Sequence, residues 1–146
     1  ENQTTYNLFT FIHFTGVCMK SFSWEILDDG RLVKELDFSS FNYSESGVPQ
    51  AFYSFFEMGD ENISITLLKG KTKYKADLKW ARPESPIVKI YWKGKFSDVL
   101  KKEFPEWKNI KPGNRFSKMK LVFKKTSEIN VFDVAFLDEN PTNSIR

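Results

Sequence analysis

The sequence predicts a mostly-β (α+β) fold of about seven short strands with one or two short helices, closed as a barrel or stacked as a sandwich. Three observations predict it. Apolar and polar residues alternate with period two through most of the chain, turn-forming clusters interrupt the alternation about every ten residues, and one segment keeps helical spacing. The 146 residues suit a single core, and 40% hydrophobic content with 15 Phe can fill it without a disulfide or metal staple.

The first element is Leu8–Met19, apolar but interrupted by His13 and several Thr. It is too short to span a bilayer and reads as a core strand, with no basic leader before it. Its Cys18 is the chain's one cysteine and reads as a small buried hydrophobe. Next, Leu32, Lys34, Leu36 and Phe38 share one strand face, opposite Val33, Glu35 and Asp37. Residues 50–58 read as a further strand. Ile63, Ile65 and Leu67 then alternate with polar residues, as do Tyr74, Ala76, Leu78 and Trp80 against Lys73, Lys75, Asp77 and Lys79. Val88, Ile90 and Trp92 continue the pattern.

Ser97 is placed to cap a helix, with Asp98 in its first turn and Val99, Leu100, Phe104 and Trp107 on its apolar side. Met119, Leu121 and Phe123 form another alternating strand. Ile129–Leu137 is apolar at nearly every position, as expected of a strand covered on both sides. Asp28–Gly30, Ser39–Pro49, Gly59–Glu61, Lys69–Lys71, Arg82–Pro86 and Asn109–Asn114 are the connections. The domain is expected over residues 1–137, with a tail of linker composition over 138–146. Lacking an initiator Met, the chain reads as a trimmed piece.

Charge is the informative feature. Net charge is only +3, but it is segregated. Residues 1–68 hold 3 basic against 10 acidic side chains, residues 69–125 hold 18 against 5, and residues 126–146 hold 1 against 4. Such segregation points to a charged partner.

Enzymatic chemistry is not expected. His13 is the one histidine, no phosphate-binding Gly-x-x-x-x-Gly-Lys loop exists, and Asp77-Leu78-Lys79 with Glu84 is a common arrangement rather than a metal-dependent nuclease centre. No metal or cofactor is predicted. The Asn-x-Ser/Thr matches at Asn2, Asn42 and Asn62 are what this composition gives by chance.

Binding candidates are plentiful. Lys69, Lys71, Lys73, Lys75 and Lys79 occupy odd positions and would project from one face of an extended strand, where a polyanion would offset their repulsion. Lys93, Lys95 and Lys118 extend the theme, and Ser40, Asn114 and Arg115 are further candidates for contact with a nucleic-acid backbone. Base reading needs polar side chains on loops. Asn42 and Gln50 suit adenine, Arg82 suits guanine, Glu45 and Glu84 suit cytosine, and Tyr43 and Ser44 accompany them. A pocket for an extruded base would need aromatic walls, for which Tyr43, Tyr53, Tyr74, Trp80, Tyr91 and Trp92 are available.

The succession of Ser40-Phe41-Asn42, the exit Gly47-Val48-Pro49, a basic strand, and a second loop ending at Glu84 before Lys89-Ile90-Tyr91-Trp92 resembles a known family. It is similar to the DNA-binding pseudobarrels typified by the EcoRII-like N-terminal domain and the plant B-three-type domain, and most like the N-terminal specificity domain of LlaJI-type, McrB-like restriction subunits. The resemblance spans residues 5–137. It departs from the family in lacking a Gly-His-Gln cluster near Glu45 and in having Lys89 where an Arg is usual.

The resemblance implies an open pseudobarrel that grips the DNA major groove with two arms, Ser39–Pro49 and a second within Lys79–Pro86. Nuclease and nucleotide-driven motor would then belong to other segments or subunits of a cytoplasmic restriction complex. Two rivals remain: a small β-barrel carrying an apolar ligand, and an RNA-binding pseudobarrel that prefers single strands.

Overall fold

Alternating sequence becomes alternating burial in nearly every strand. The computed structural model describes residues 19–92, 94–113 and 118–138. Among these the strands are β1 (Met19–Ser21), β2 (Trp24–Ile26), β3 (Leu32–Glu35), β4 (Glu45–Val48), β5 (Ile63–Lys69), β6 (Thr72–Ala81), β7 (Ile87–Trp92), β8 (Met119–Lys125) and β9 (Val131–Asp138). There are two helices, α1 (Phe38–Asn42) and α2 (Lys95–Glu103), and 3-10 turns at Gln50–Phe52, after β4, and at Pro105–Asn109, after α2. All the strands belong to one sheet in the order β1-β2-β3-β8-β9-β5-β6-β7-β4, antiparallel except for the parallel pair β5 and β9.

The indole Nε1 of Trp24 on β2 donates to the Gly47 carbonyl on β4 at 2.9 Å. That bond ties the second strand from one edge to the strand at the opposite edge. The sheet is therefore curled into an open barrel whose two margins meet along a seam. This is the mostly-β open barrel that the sequence predicts, with nine strands in place of about seven.

The interior is filled by rings. Trp24 stacks on Phe123 and meets Phe56 edge-on, with centroids 6.0 and 6.2 Å apart. Phe55 stacks on Phe132 at 5.4 Å, and Phe136 packs against Phe96 and Phe104. Such offset and edge-to-face pairs add to the free energy of simple burial.

At the base of α1, the buried indole of Trp92 donates to the Ser40 carbonyl at 3.1 Å, fastening the helix to β7. Trp92→Phe is expected to leave that carbonyl unpaired and to lower stability by about 1–3 kcal/mol, measured as a shift in the urea midpoint.

Several elements depart from expectation, each for a physical reason. Phe38 does not extend β3. Asp37 instead caps α1, accepting from the Ser40 amide at 3.1 Å while the Ser40 hydroxyl accepts from the Asp37 amide at 3.1 Å. This reciprocal capping box starts a helix inside the stretch read as the loop Ser39–Pro49, which also contains β4. Residues 50–58 are not a strand. Backbone bonds of one-turn spacing, such as Phe56 amide to Tyr53 carbonyl at 3.2 Å, coil them and bury Phe52, Phe55 and Phe56 together.

Ser97 does not cap α2, whose N-cap lies three residues earlier at Gly94 with φ 58°, a conformation open to glycine. The last strand starts at Val131, with Ile129 exposed, and alternates rather than being covered throughout. Asp138, placed in the tail by composition, is the buried last residue of β9. Apart from Met19, the strand expected over Leu8–Met19, with His13 and Cys18, lies outside the described residues. Among the described residues no helix is long and apolar enough to cross a membrane.

Candidate nucleic-acid interface

β6 determines which lysines stand together. Tyr74, Ala76, Leu78 and Trp80 turn toward the core, so Lys73, Lys75, Asp77 and Lys79 face outward, and all three lysines are exposed. On the neighbouring β7, Val88, Ile90 and Trp92 are buried, which leaves Lys89 and Tyr91 on the outer side. The register sets Lys79 directly opposite Lys89 and Asp77 opposite Tyr91. Lys79 lies 5.7 Å from the Tyr91 ring centroid, in the range of a cation–π contact.

Two carboxylates are interleaved with this face. Glu45 binds Lys89 at 2.7 Å, and Asp77 accepts from Ser64 at 2.8 Å. Lys73, Lys75 and Lys79 remain exposed along one face of β6, with Asp77 among them and Lys89 on the neighbouring strand.

Lys69 does not join it, although its odd number suggests that it should. β5 and β6 are connected by a hairpin that pairs Lys69 with Thr72 and Leu68 with Lys73. Paired residues share a face, so parity reverses at the turn. Lys69 points to the core side, 5.4 Å from the Phe136 ring, and Lys71 sits in the turn. Lys95 opens α2 and is exposed. There Lys101 and Lys108 flank Trp107 at 4.8 and 5.9 Å, a second basic cluster separate from the sheet face. Lys118 is exposed at the start of β8 with φ 65°, its amide donating to Glu35 at 3.2 Å. Lys93, Asn114 and Arg115 lie outside the described residues.

The base-reading candidates divide into two groups. Asn42, Tyr43, Ser44 and Glu45 cluster where α1 runs into β4, and Glu45 pairs with Tyr91. Asn42 donates to the Phe38 carbonyl at 2.9 Å, and the Tyr43 ring rests edge-on against Phe38. Ser44 shares a hydroxyl–hydroxyl bond with Ser97 at 2.9 Å. Arg82 and Glu84 lie in the exposed turn between β6 and β7, which meets β7 at Ile87. Ile87 and Tyr91 are four residues apart, about 13 Å along an extended strand.

Gln50, just beyond the first arm, belongs by position with the second group. It lines a cleft with Pro86 and Ile87 at the foot of the β6–β7 turn. Ser40 leaves the candidate set altogether, because its side chain is fully buried and engaged in the capping box.

The cleft itself was not foreseen. It opens along the seam with a volume of about 460 Å³ and is walled by Trp24, Tyr53, Pro49 and Pro86. Phe22 stands at its mouth, and Ser23, Lys34 and Asp37 also line it. Lys34 is only 1% exposed. It binds Asp37 at 3.1 Å, bonds to the Ser23 hydroxyl, and lies 5.5 Å from the Trp24 ring centroid. The available signal was a lysine on an otherwise apolar strand face with an aspartate three residues on. Of the aromatic residues considered for a pocket, Tyr53 lines this cleft, Trp92 is buried in the core and Tyr91 faces outward.

In comparisons with known proteins, no family model and no curated protein matches the sequence. Among solved structures, the N-terminal domain of Helicobacter pylori LlaJI.R1 is similar at 8% identity and a TM-score of 0.48, over 73% of this chain and 79% of that one.

Proposed function

We propose that this chain is a double-stranded DNA-binding specificity domain, with the outer face of β6 and β7 holding phosphates. The observation that carries the reading is the alignment of Lys73, Lys75 and Lys79 along one exposed strand face with Lys89 directly opposite Lys79. Because Glu45 already pairs with Lys89, the charge a polyanion would meet is the row Lys73, Lys75 and Lys79, whose mutual repulsion it would offset. A ring-filled interior disfavours the apolar-carrier alternative. The proposed role is binding, with catalysis assigned to other segments or subunits. The restriction-system setting comes from the sequence resemblance.

Base reading is assigned to Gln50, Arg82 and Glu84, which flank one end of the lysine face. Arg82 is exposed and held at φ 58°, a conformation uncommon for a long side chain, which fixes the start of the turn. A competition gel with duplex DNA, single-stranded DNA and structured RNA at two salt concentrations tests the assignment. Duplex should win and should weaken steeply with salt. Preference for single strands would favour the RNA-binding alternative.

Arg82→Ala and Gln50→Ala are expected to erode discrimination between duplex sequences by about 1–3 kcal/mol each while leaving nonspecific binding nearly unchanged. Selection from a random-sequence pool measures this. Equal losses on every sequence would remove these residues from base reading.

A further inference from the structure

We infer that the apolar hollow flanking Arg82 takes the C5-methyl group of a thymine in the major groove, an inference that rests on the duplex-binding reading above. The hollow has a volume of about 330 Å³ and is lined by Trp80, Ala81, Pro83 and Pro86. None of these side chains is charged, yet the surroundings are polar. Arg82, Glu84 and Ser85 are exposed in the same turn, and the exposed Lys73, Lys75 and Lys79 lead along β6 to its edge. An apolar hollow at the end of a cationic row suits a ligand that is anionic along its length and apolar at a nearby point. Duplex DNA meets that description. Its phosphates carry the charge, and the thymine methyl is the apolar group among the base edges of the major groove.

The walls of the hollow are held in place by the fold. The Trp80 indole Nε1 donates to the Gly59 carbonyl at 2.9 Å, and the Trp80 amide donates to the Asn62 side chain at 2.8 Å. The Tyr53 ring meets the indole edge-on, with centroids 5.6 Å apart. Pro83 and Pro86 have φ fixed by their own rings. A preformed hollow of this kind loses little entropy on binding, so the gain from burying one methyl group is not offset by ordering of the protein.

Arg82 supplies the other half of the contact. Its neighbours on both sides, Ala81 and Pro83, line the hollow, so the guanidinium and the hollow address adjacent points on a ligand. Among the described residues the Arg82 side chain makes no hydrogen bond or ion pair. Its fork of donors can take the O6 and N7 of a guanine, and the methyl group then belongs to a thymine in the adjoining base pair. The element read is a thymine next to a guanine, with both bases still stacked in the duplex.

The test starts from a duplex site selected by the protein from a random pool, in which each thymine is replaced in turn by deoxyuridine. That change removes one methyl group and leaves the pairing, the phosphates and the protein untouched. Affinity should fall about four-fold at one thymine, the effect of burying one methyl-sized group, and stay level at the others. The sensitive thymine should adjoin a guanine at which 7-deazaguanine also weakens binding. At the sensitive position 5-methylcytosine paired with guanine should bind more tightly than cytosine does. Pro83→Ala with Pro86→Ala removes two exposed walls and should bring thymine and uracil to equal affinity, with thermal melting to confirm the fold. Equal affinity of thymine and uracil at every position, or a selected site without thymine, overturns this inference and leaves the duplex-binding reading intact. Absence of salt-dependent duplex binding overturns both.

Discussion

Asp37→Ala is expected to destabilise the domain by about 3–5 kcal/mol, the largest effect of any single polar substitution proposed for it. Two losses combine. The smaller is the cap of α1, where the carboxylate accepts from the Ser40 amide and hydroxyl at 3.1 and 2.9 Å, worth roughly 1 kcal/mol. The larger is electrostatic. Lys34 is 1% exposed, and without Asp37 its ammonium stays inside the barrel wall and loses the carboxylate it binds at 3.1 Å. Urea unfolding of the single and double variants separates the two. Lys34→Met should cost little alone, and in the Asp37→Ala background it should recover most of the loss, because an apolar chain beside Trp24 needs no counter-ion. Additive effects of the two substitutions would show that the pair is not coupled.

The same residues show what the sequence makes legible. Lys34 is correctly placed on the face of Leu32 and Leu36 by period-two alternation, and β5, β6 and β7 follow directly from theirs. Helix α1 is hidden because five residues are too few for a 3.6-residue period to declare itself. Its one local signal, Asp37 followed three residues later by Ser40, is hidden in a serine-rich stretch that also suits a loop. Lys69 fails for a topological reason, since numbering parity carries along a strand but not around a hairpin. The grouping of Gln50 with Arg82 depends on β4 pairing with β7, a contact between strands some forty residues apart, and the cleft depends on the margins of the sheet coming together. That closure is a long-range event sealed by Trp24 and Gly47, twenty-three residues apart, and no local pattern encodes it.

The second large effect concerns affinity. Replacing Lys73, Lys75 and Lys79 together with Ala is expected to lower duplex affinity on every sequence alike and to reduce the slope of log K against log salt by about 2.7, if each lysine neutralises one phosphate. All three are exposed on β6, so the fold should be retained, and thermal melting confirms it. The matched control is Lys101→Ala with Lys108→Ala beside Trp107, in the second basic cluster, which should change the slope little. A slope unchanged by the β6 substitutions, or one lowered equally by the control, would remove the strand face from the phosphate contact. Fluorescence anisotropy over a salt titration reads both.

β9, the last of the described strands, is inserted between β8 and β5, and its parallel pairing sets Thr66 beside Val131 and Leu68 beside Asp133. On the β8 side its partners belong to an adjoining hairpin, whereas on the β5 side Thr66 and its partner Val131 are 65 residues apart. The β5–β6–β7 portion can form from local hairpins but has an open flank where β9 belongs, and that backbone is unpaired until β9 docks. Closure of such distant contacts is slow relative to hairpin formation, so completion of the barrel is expected to be governed by the docking of β9 on β5.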